Sequence, residues 1–473
     1  MAVAIALGGG APNLTLMTGA LLALDEAGVE FKVITTTGAG MVAGLLHAAP
    51  RRRPGESLQQ ARRRALKQTR EMGIDDLIYE HLPMNFKIFQ KAGSMAELYS
   101  QIVGPVVWSI PRDTRRQRLL GDMMGLMAAV MQPGRIGMDS KGLCQPPPWI
   151  DLIVDFDALA ENLRTSGTEF LLTAYCIEDQ DERNFRNGEI TAEQFKAALA
   201  MPFLYAPYKL REPDGTVKTY LEASAFRTME FNPDGVMTKN DVDTVIYFDL
   251  MGNKHLIGEP KNIIDAWGKS IVAPLTQLAR QQVEIDIARR RDVHSTRQLG
   301  KEILRLQEHV ESLIGFAHDM EKAIARLERK AAEVPEFQPL LDDLKKTLTE
   351  KMISREAKEE IAERFEVREI WRKIRLLVRS DTEEDAMNQE LTRHLLKMPF
   401  SDHIPEERWP EVLDWSHSNM SRLFDIGYQT AQAFLDRHWD KLGIAQGGRP
   451  DIAREDLAEG DAVWGHVPIE IVS

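Results

Sequence analysis

Residues 3–10 read Val3-Ala4-Ile5-Ala6-Leu7-Gly8-Gly9-Gly10, and residues 31–40 read Phe31-Lys32-Val33-Ile34-Thr35-Thr36-Thr37-Gly38-Ala39-Gly40. Each is a short apolar run that ends in small residues and glycine. A run of this length, bounded by glycine, reads as a buried strand rather than a helix. Between the two, Leu14, Met17, Leu21, Leu22 and Leu24 fall on or near one helical face, and Gly28 closes the pattern. A second apolar helix runs from Met41 to about His47. The order β-α-β-α predicts a parallel, twisted sheet with right-handed crossovers.

Strand signals return further along. Phe170–Cys176 and Val245–Leu250 are apolar and rich in β-formers. A helix is expected from Ala192 to Met201, a hairpin turn at Pro213-Asp214-Gly215, and a helix around Gly427 to Leu435. Residues 83–138 are apolar and rich in methionine, with Met123, Met124, Met127 and Met131 close together. Methionine packs adaptably, so this segment reads either as core filling or as a cap over an acyl-chain pocket, with core filling the first expectation. Residues 51–70 hold Arg51, Arg52, Arg53, Arg62, Arg63, Arg64, Lys67 and Arg70. They read as a solvated helix face, or as a patch that meets anionic lipid headgroups.

The 473 residues are 43% hydrophobic and 28% charged, the balance of a folded chain. Acidic side chains outnumber basic ones 72 to 59, for a net charge of −13, which argues against nucleic acid as a partner. Two cysteines, Cys144 and Cys176, fit a reducing cytoplasm and not a disulfide framework. No apolar run reaches the roughly 18 residues of a membrane span. The N-terminal run is too short for a signal peptide. A cytoplasmic protein, able to associate peripherally with membranes, is expected.

Residues 276–378 differ sharply in composition. Leu299, Ile303, Leu306, Val310, Leu313, Ala317, Met320, Ile324 and Leu327 alternate steps of four and three, a heptad stripe. Pro335 and Pro339 break it, and a second helical run follows. An antiparallel helical hairpin is expected there, joining the protein to a second copy or to another protein. The domain reading is a core of 1–275 and 379–445, the hairpin insertion at 276–378, and a tail at 446–473.

A strand, a glycine triplet and a helix N-terminus make a cradle for negative charge, because backbone N–H groups and the helix dipole both favour it. No G-x-x-x-x-G-K-[ST] is present, and the glycine spacing does not match G-x-G-x-x-G, so neither nucleotide motif applies. Thr36-Thr37-Gly38-Ala39-Gly40 has the shape of a nucleophile elbow, G-x-S-x-G, with glycine where the serine would stand.

These segments together resemble the patatin-like phospholipase family. Gly19–Gly28 looks like its first helix, Ala197-Ala198-Leu199-Ala200-Met201-Pro202 like its A-S-x-A-x-P segment, and Asp243–Asp249 like its later strand. Tyr220-Leu221-Glu222-Ala223-Ser224 falls where the family carries the aspartate of a Ser–Asp dyad, and Gly427-Tyr428 resembles its closing helix. The resemblance implies a three-layer α/β core with a parallel sheet, interrupted by a long antiparallel helical insertion. It implies an oxyanion loop at Gly8, Gly9, Gly10 and Ala11, and an elbow of Thr36, Thr37, Gly38, Ala39 and Gly40. Gly38 then takes the nucleophile position and Glu222 the dyad-acid position. The usual basic residue after the loop is Pro12, and the next glycine is Asn13.

Glycine at the elbow removes the hydroxyl that an acyl-serine needs. Thr36 and Thr37 are expected to point to other faces, and Ser224 to be a turn residue. Returning serine to position 38 and aspartate to 222 is expected to restore weak esterase activity. No histidine pattern for zinc occurs, and neither metal nor cofactor is expected. Three function classes stand, in this order. The first is a lipid- or fatty-acyl-binding pseudoenzyme with a scaffolding role. The second is a lipid acyl hydrolase with an atypical nucleophile. The third is a non-hydrolytic enzyme using the oxyanion loop and Glu222.

Overall fold

The computed structural model describes residues 1–10, 13–134, 140–146, 150–226, most of 229–284, scattered positions between 322 and 346, and 394–443. Strands are β1 Ala2–Leu7, β2 Phe31–Thr36, β3 Gln90–Lys91, β4 Cys144–Gln145, β5 Glu169–Cys176, β6 Asp181–Arg186, β7 Tyr208–Arg211, β8 Val217–Glu222, β9 Val242–Phe248 and β10 His394–Lys397. Helices are α1 Leu14–Glu26, α2 Ala39–Ala48, α3 Leu58–Gln68, α4 Asp76–His81, α5 Ser94–Trp108, α6 Arg115–Met131, α7 Ile150–Ile153, α8 Phe156–Ser166, α9 Ala192–Leu199, α10 Val236–Lys239 and α11 His417–His438. The chain divides into two compact units. One holds Met1–Pro233, Asn240–Arg280 and Thr392–Ser473, the other Asp234–Lys239 and Gln281–Leu391.

The first unit is built on one mixed sheet, in the order β10-β9-β1-β2-β5-β8-β7, with β6 paired to β5. The run β10-β9-β1-β2-β5 is parallel throughout, and β6, β7 and β8 are antiparallel additions. The protein therefore has a mixed α/β fold with a mostly parallel central sheet flanked by helices, consistent with a patatin-like core. β1 is buried along almost its whole length, as a central parallel strand covered on both faces must be.

The register of β5 fixes the geometry of the site. Leu171 and Leu172 pair with β2 on one edge and with β6 on the other. Ala174 to Cys176 also pair with β6, and with Glu222 to Tyr220 of β8. β8 therefore takes over the edge of β5 that β2 leaves. That brings Glu222, at the end of β8, just past Thr36, at the end of β2.

α1 is buried on nearly every side and packs against α11. A methyl group built on Gly19 would lie 2.1 Å from the Phe424 carbonyl oxygen, and one on Gly427 would lie 2.1 Å from that of Leu16. The two helices thus meet backbone to backbone through reciprocal glycines. α11 starts well before the Gly427–Leu435 stretch that its apolar pattern suggests. Its buried polar first turns hide the period: the Asn419 side chain donates to the carbonyls of Glu411 and Asp414, and this lets an amide lie inside.

Two expectations change. Met123, Met124, Met127 and Met131 do not fill the core; they are 44–67% exposed. Small residues of α6, Gly125, Ala128 and Ala129, line the cavity toward α5 instead, which turns the methionines outward. The basic stretch is neither a plain solvated face nor a free patch. Arg62 Nη1 lies 2.6 Å from the buried Asp25, Arg64 pairs with Glu56 at 2.8 Å, and Arg70 reaches Asp425 at 2.5 Å. The heptad stripe at 299–327, most of the helical insertion, and the tail at 446–473 lie largely or wholly outside the described residues.

Gly427→Ala should lower stability by about 2–3 kcal/mol in denaturant unfolding, because the added methyl meets a backbone carbonyl that cannot swing away. Gly104→Ala in α5, where the nearest atom would be 3.7 Å away, should instead stabilise by up to about 1 kcal/mol through helix propensity.

Candidate functional site

Three chain segments converge at the C-terminal edge of the sheet. The loop after β1 brings Gly8, Gly9 and Gly10. The turn after β2 brings Thr37 and Gly38. The end of β8 brings Glu222, Ala223 and Ser224. The Thr37 N–H donates to the Leu7 carbonyl at 3.0 Å, which ties the elbow to the strand before the glycine loop. Gly40 lets α2 start against that same strand, since a methyl there would lie 2.3 Å from the Leu7 oxygen.

Gly38 is the N-cap of α2, with φ +53° and ψ −133°. This is a sharp strand-to-helix turn in a region that residues with a Cβ enter only under strain. A methyl on Gly38 would meet Glu222 Oε1 at 2.7 Å, Gly9 Cα at 2.9 Å and Ser224 Oγ at 2.9 Å. The elbow apex is thus filled from the side by the residues after β8. This changes the expectation for a returned serine. A Cβ at 38 would have to displace Gly9 backbone as well as two side chains, and aspartate at 222 would withdraw only one of them.

Ser224 lies in the 3₁₀ turn Ala223–Ala225, as a turn residue would, and its hydroxyl donates to Glu222 Oε1 at 2.6 Å. Both side chains are buried. Burial raises the Glu222 carboxyl to a pKa of about 7, and the Ser224 hydrogen bond acts in the opposite direction. Tyr205 is the titratable neighbour: burial, then Cys144 and Glu222, raise its phenol.

Asn13 carries a signal that the sequence reading passed over. It is fully buried at the N-cap of α1, and among the described residues neither side-chain amide atom has a hydrogen-bond partner. Its Nδ2 lies 2.7 Å from where a methyl on Gly10 would stand, with Met251 Sδ 3.0 Å from the same point. A buried amide without a partner costs about 1–3 kcal/mol, and this one lies beside a helix N-terminus, which favours negative charge.

The Thr36 hydroxyl donates to the Leu171 carbonyl at 2.9 Å and so is spent on the sheet. Thr37 is buried and Ala39 half-buried. Ala11 and Pro12 lie outside the described residues. His47 packs its ring on Phe31, 5.5 Å between centroids, 3.9 Å from Asp25, and burial keeps it neutral. Asp155 caps α8. Among the described residues, no three His, Cys, Asp or Glu side chains converge to hold a metal ion, and no helix is long and apolar enough to cross a membrane.

No family model matches the chain, and no curated protein does either. Among solved structures, VipD from Legionella pneumophila is similar with a TM-score of 0.26 and 10% identity, covering 91% of this chain and 91% of that one. A likeness of that degree does not bear on the chemistry of the site.

Glu222 gives a pH test with a defined sign. Its folded pKa lies above the unfolded value, so the folded state holds the proton more tightly. The associated stability is present at low pH and is lost as pH rises to about 7 and beyond. Glu222→Gln should remove that slope, leaving the variant about 3 kcal/mol more stable relative to wild type at pH 8 than at pH 4 in denaturant titrations.

Proposed function

We propose that the protein binds the acyl group of a fatty-acyl lipid, with the acyl carbonyl or carboxylate oxygen held at the glycine loop, and that residue 38 forms no acyl-enzyme. The observation that carries this reading is the buried Asn13 amide without a partner, facing Gly10 at the N-terminus of α1. Met251 lies against Gly10 and gives the loop an apolar neighbour, and Phe226, two residues after Ser224, stacks on Tyr175 at 3.9 Å between ring centroids. Isothermal titration with laurate should show binding. Asn13→Leu should weaken it about tenfold, the effect of one hydrogen bond to a charged group. No heat of binding from the folded wild-type protein would overturn the reading.

A lipid surface is the proposed source of that acyl group. Met95, Leu98, Ile102 and Val106 form an exposed stripe on α5, and Leu120, Met123, Met127 and Met131 another on α6. Arg116 continues the α6 stripe at its N-terminal end, beside Arg115; both are exposed, and among the described residues neither makes an ion pair. Apolar side chains with a basic end match the acyl boundary and the anionic headgroups of a membrane. Sedimentation with phosphatidylglycerol vesicles should capture the protein, and Met124→Glu with Met127→Glu should abolish capture. Equal capture of that variant would overturn the assignment.

The segment 276–378 is proposed to join the protein to a second copy or to another protein. Its heptad spacing supports this, and the 2.6 Å pair of Lys345 with Glu328 fits the expected reversal of the chain within the hairpin. Cytoplasmic localisation is proposed on the two cysteines, both free.

A further inference from the structure

We propose that Ser224 supplies the nucleophile that the elbow lacks, with Glu222 as its general base, so that the site cleaves acyl esters through an acyl-Ser224 intermediate. This rests on the acyl-site reading above and goes beyond it, from binding to turnover.

The geometry starts from the space at the elbow apex. A side chain on residue 38 would place its Cβ 2.9 Å from Ser224 Oγ. The Ser224 hydroxyl therefore occupies the region into which an elbow serine would project, reaching it from β8 rather than from β2. The same residue abuts the glycine loop. A methyl on Gly9 would lie 3.0 Å from Ser224 Cβ and 3.2 Å from its Oγ, so the absence of a side chain at residue 9 is what leaves room beside the hydroxyl. The oxygen of an acyl group bonded to Ser224 would lie beside the glycine loop at Gly9, whose backbone is the proposed stabiliser of the developing oxyanion.

Hydroxyl and base are already engaged. The Ser224 Oγ–H donates to Glu222 Oε1 at 2.6 Å, inside the range that direct proton transfer needs. A carboxylate with an ordinary pKa is a weak base for a serine. Burial lifts Glu222 to about 7, where it is both available and more basic near neutral pH. Among the described residues the Ser224 hydroxyl is bonded to it, and its charge reaches Tyr205; burial and that hydroxyl account for its shift.

The atoms balance with water as the only co-reactant. In acylation the Ser224 Oγ–C bond forms, Glu222 takes the hydroxyl proton, and the carbonyl π pair moves to the oxyanion. When the pair returns, the C–O bond to the alcohol breaks, and the proton on Glu222 passes to the leaving alkoxide. In deacylation Glu222 takes a proton from water, the water oxygen bonds to the acyl carbon, and the Oγ–C bond breaks. Glu222 then returns the proton to Oγ. The products are a carboxylic acid and an alcohol. With Met251 as the apolar neighbour of the loop, esters of fatty acids are the proposed substrates.

An alkyl fluorophosphonate tests this on the full chain, since a serine nucleophile displaces fluoride to form a stable O–P bond. Peptide mapping by mass spectrometry should find one adduct, on Ser224. The labelling rate should rise through pH about 7 and fall at least tenfold in Glu222→Gln. Ser224→Ala should lose the adduct, with circular dichroism and a cooperative thermal transition showing that the variant is folded. If it does not fold, the mapped adduct on wild type decides. An adduct on another residue, or none from a protein that binds laurate, would overturn the assignment to Ser224 and leave the acyl-binding reading standing. Loss of both labelling and laurate binding in folded wild type would overturn both.

Discussion

The structure turns on one crowded point, the apex of the turn after β2, where no side chain fits. Gly9, Glu222 and Ser224 all lie within 3 Å of the position that a Cβ on Gly38 would take. The crowding follows from how the sheet is put together. β5 pairs with β2 along its first half and with β8 along its last three residues on the same edge. The end of β8 therefore abuts the end of β2, and the residues that follow it fold over the elbow. Glycine at 38 is a structural requirement of that arrangement, not simply a deletion of the nucleophile. The apex is filled instead by the Glu222 carboxyl at the end of β8 and by the Ser224 hydroxyl in the turn after it.

Much of this frame is legible in the sequence because it is local. Val3–Leu7 with its glycines, and Phe31–Thr36 with its turn, carry strand, loop and helix signals within a few residues of one another. Glu222 is legible only by resemblance, since nothing near it in sequence marks it as buried or places it at the elbow. The role of the Ser224 hydroxyl depends on the β5 register and so has no local signature at all. Asn13 is similar. Asparagine at an N-cap is ordinary, and only its burial without a partner sets it apart.

Composition also leaves open which way a residue faces. The α6 methionines have the spacing of a packed stripe, and the structure turns that stripe outward because glycine and alanine occupy the inner face. The arginines of 51–70 look solvated by charge density alone. Their partners Asp25 and Asp425 lie far off in the chain, and folding draws Arg62 and Arg70 into ion pairs that pin α3 and the following turn to α1 and α11. A free basic patch in the first unit is correspondingly smaller than the sequence implies, and Arg115 and Arg116 of α6 become the exposed cations that lie beside apolar surface.

The central claim is that an acyl carbonyl sits against the glycine loop, polarised by the Asn13 amide and by backbone N–H groups. Infrared difference spectroscopy of a bound lauroyl amide, labelled with ¹³C at its carbonyl, reads this directly. Strong donors lengthen the C=O bond and lower its stretching frequency. The account predicts a band below that of the same amide in water, moving back toward the water value in Asn13→Leu. A bound amide whose carbonyl band lies at or above its frequency in water would contradict it.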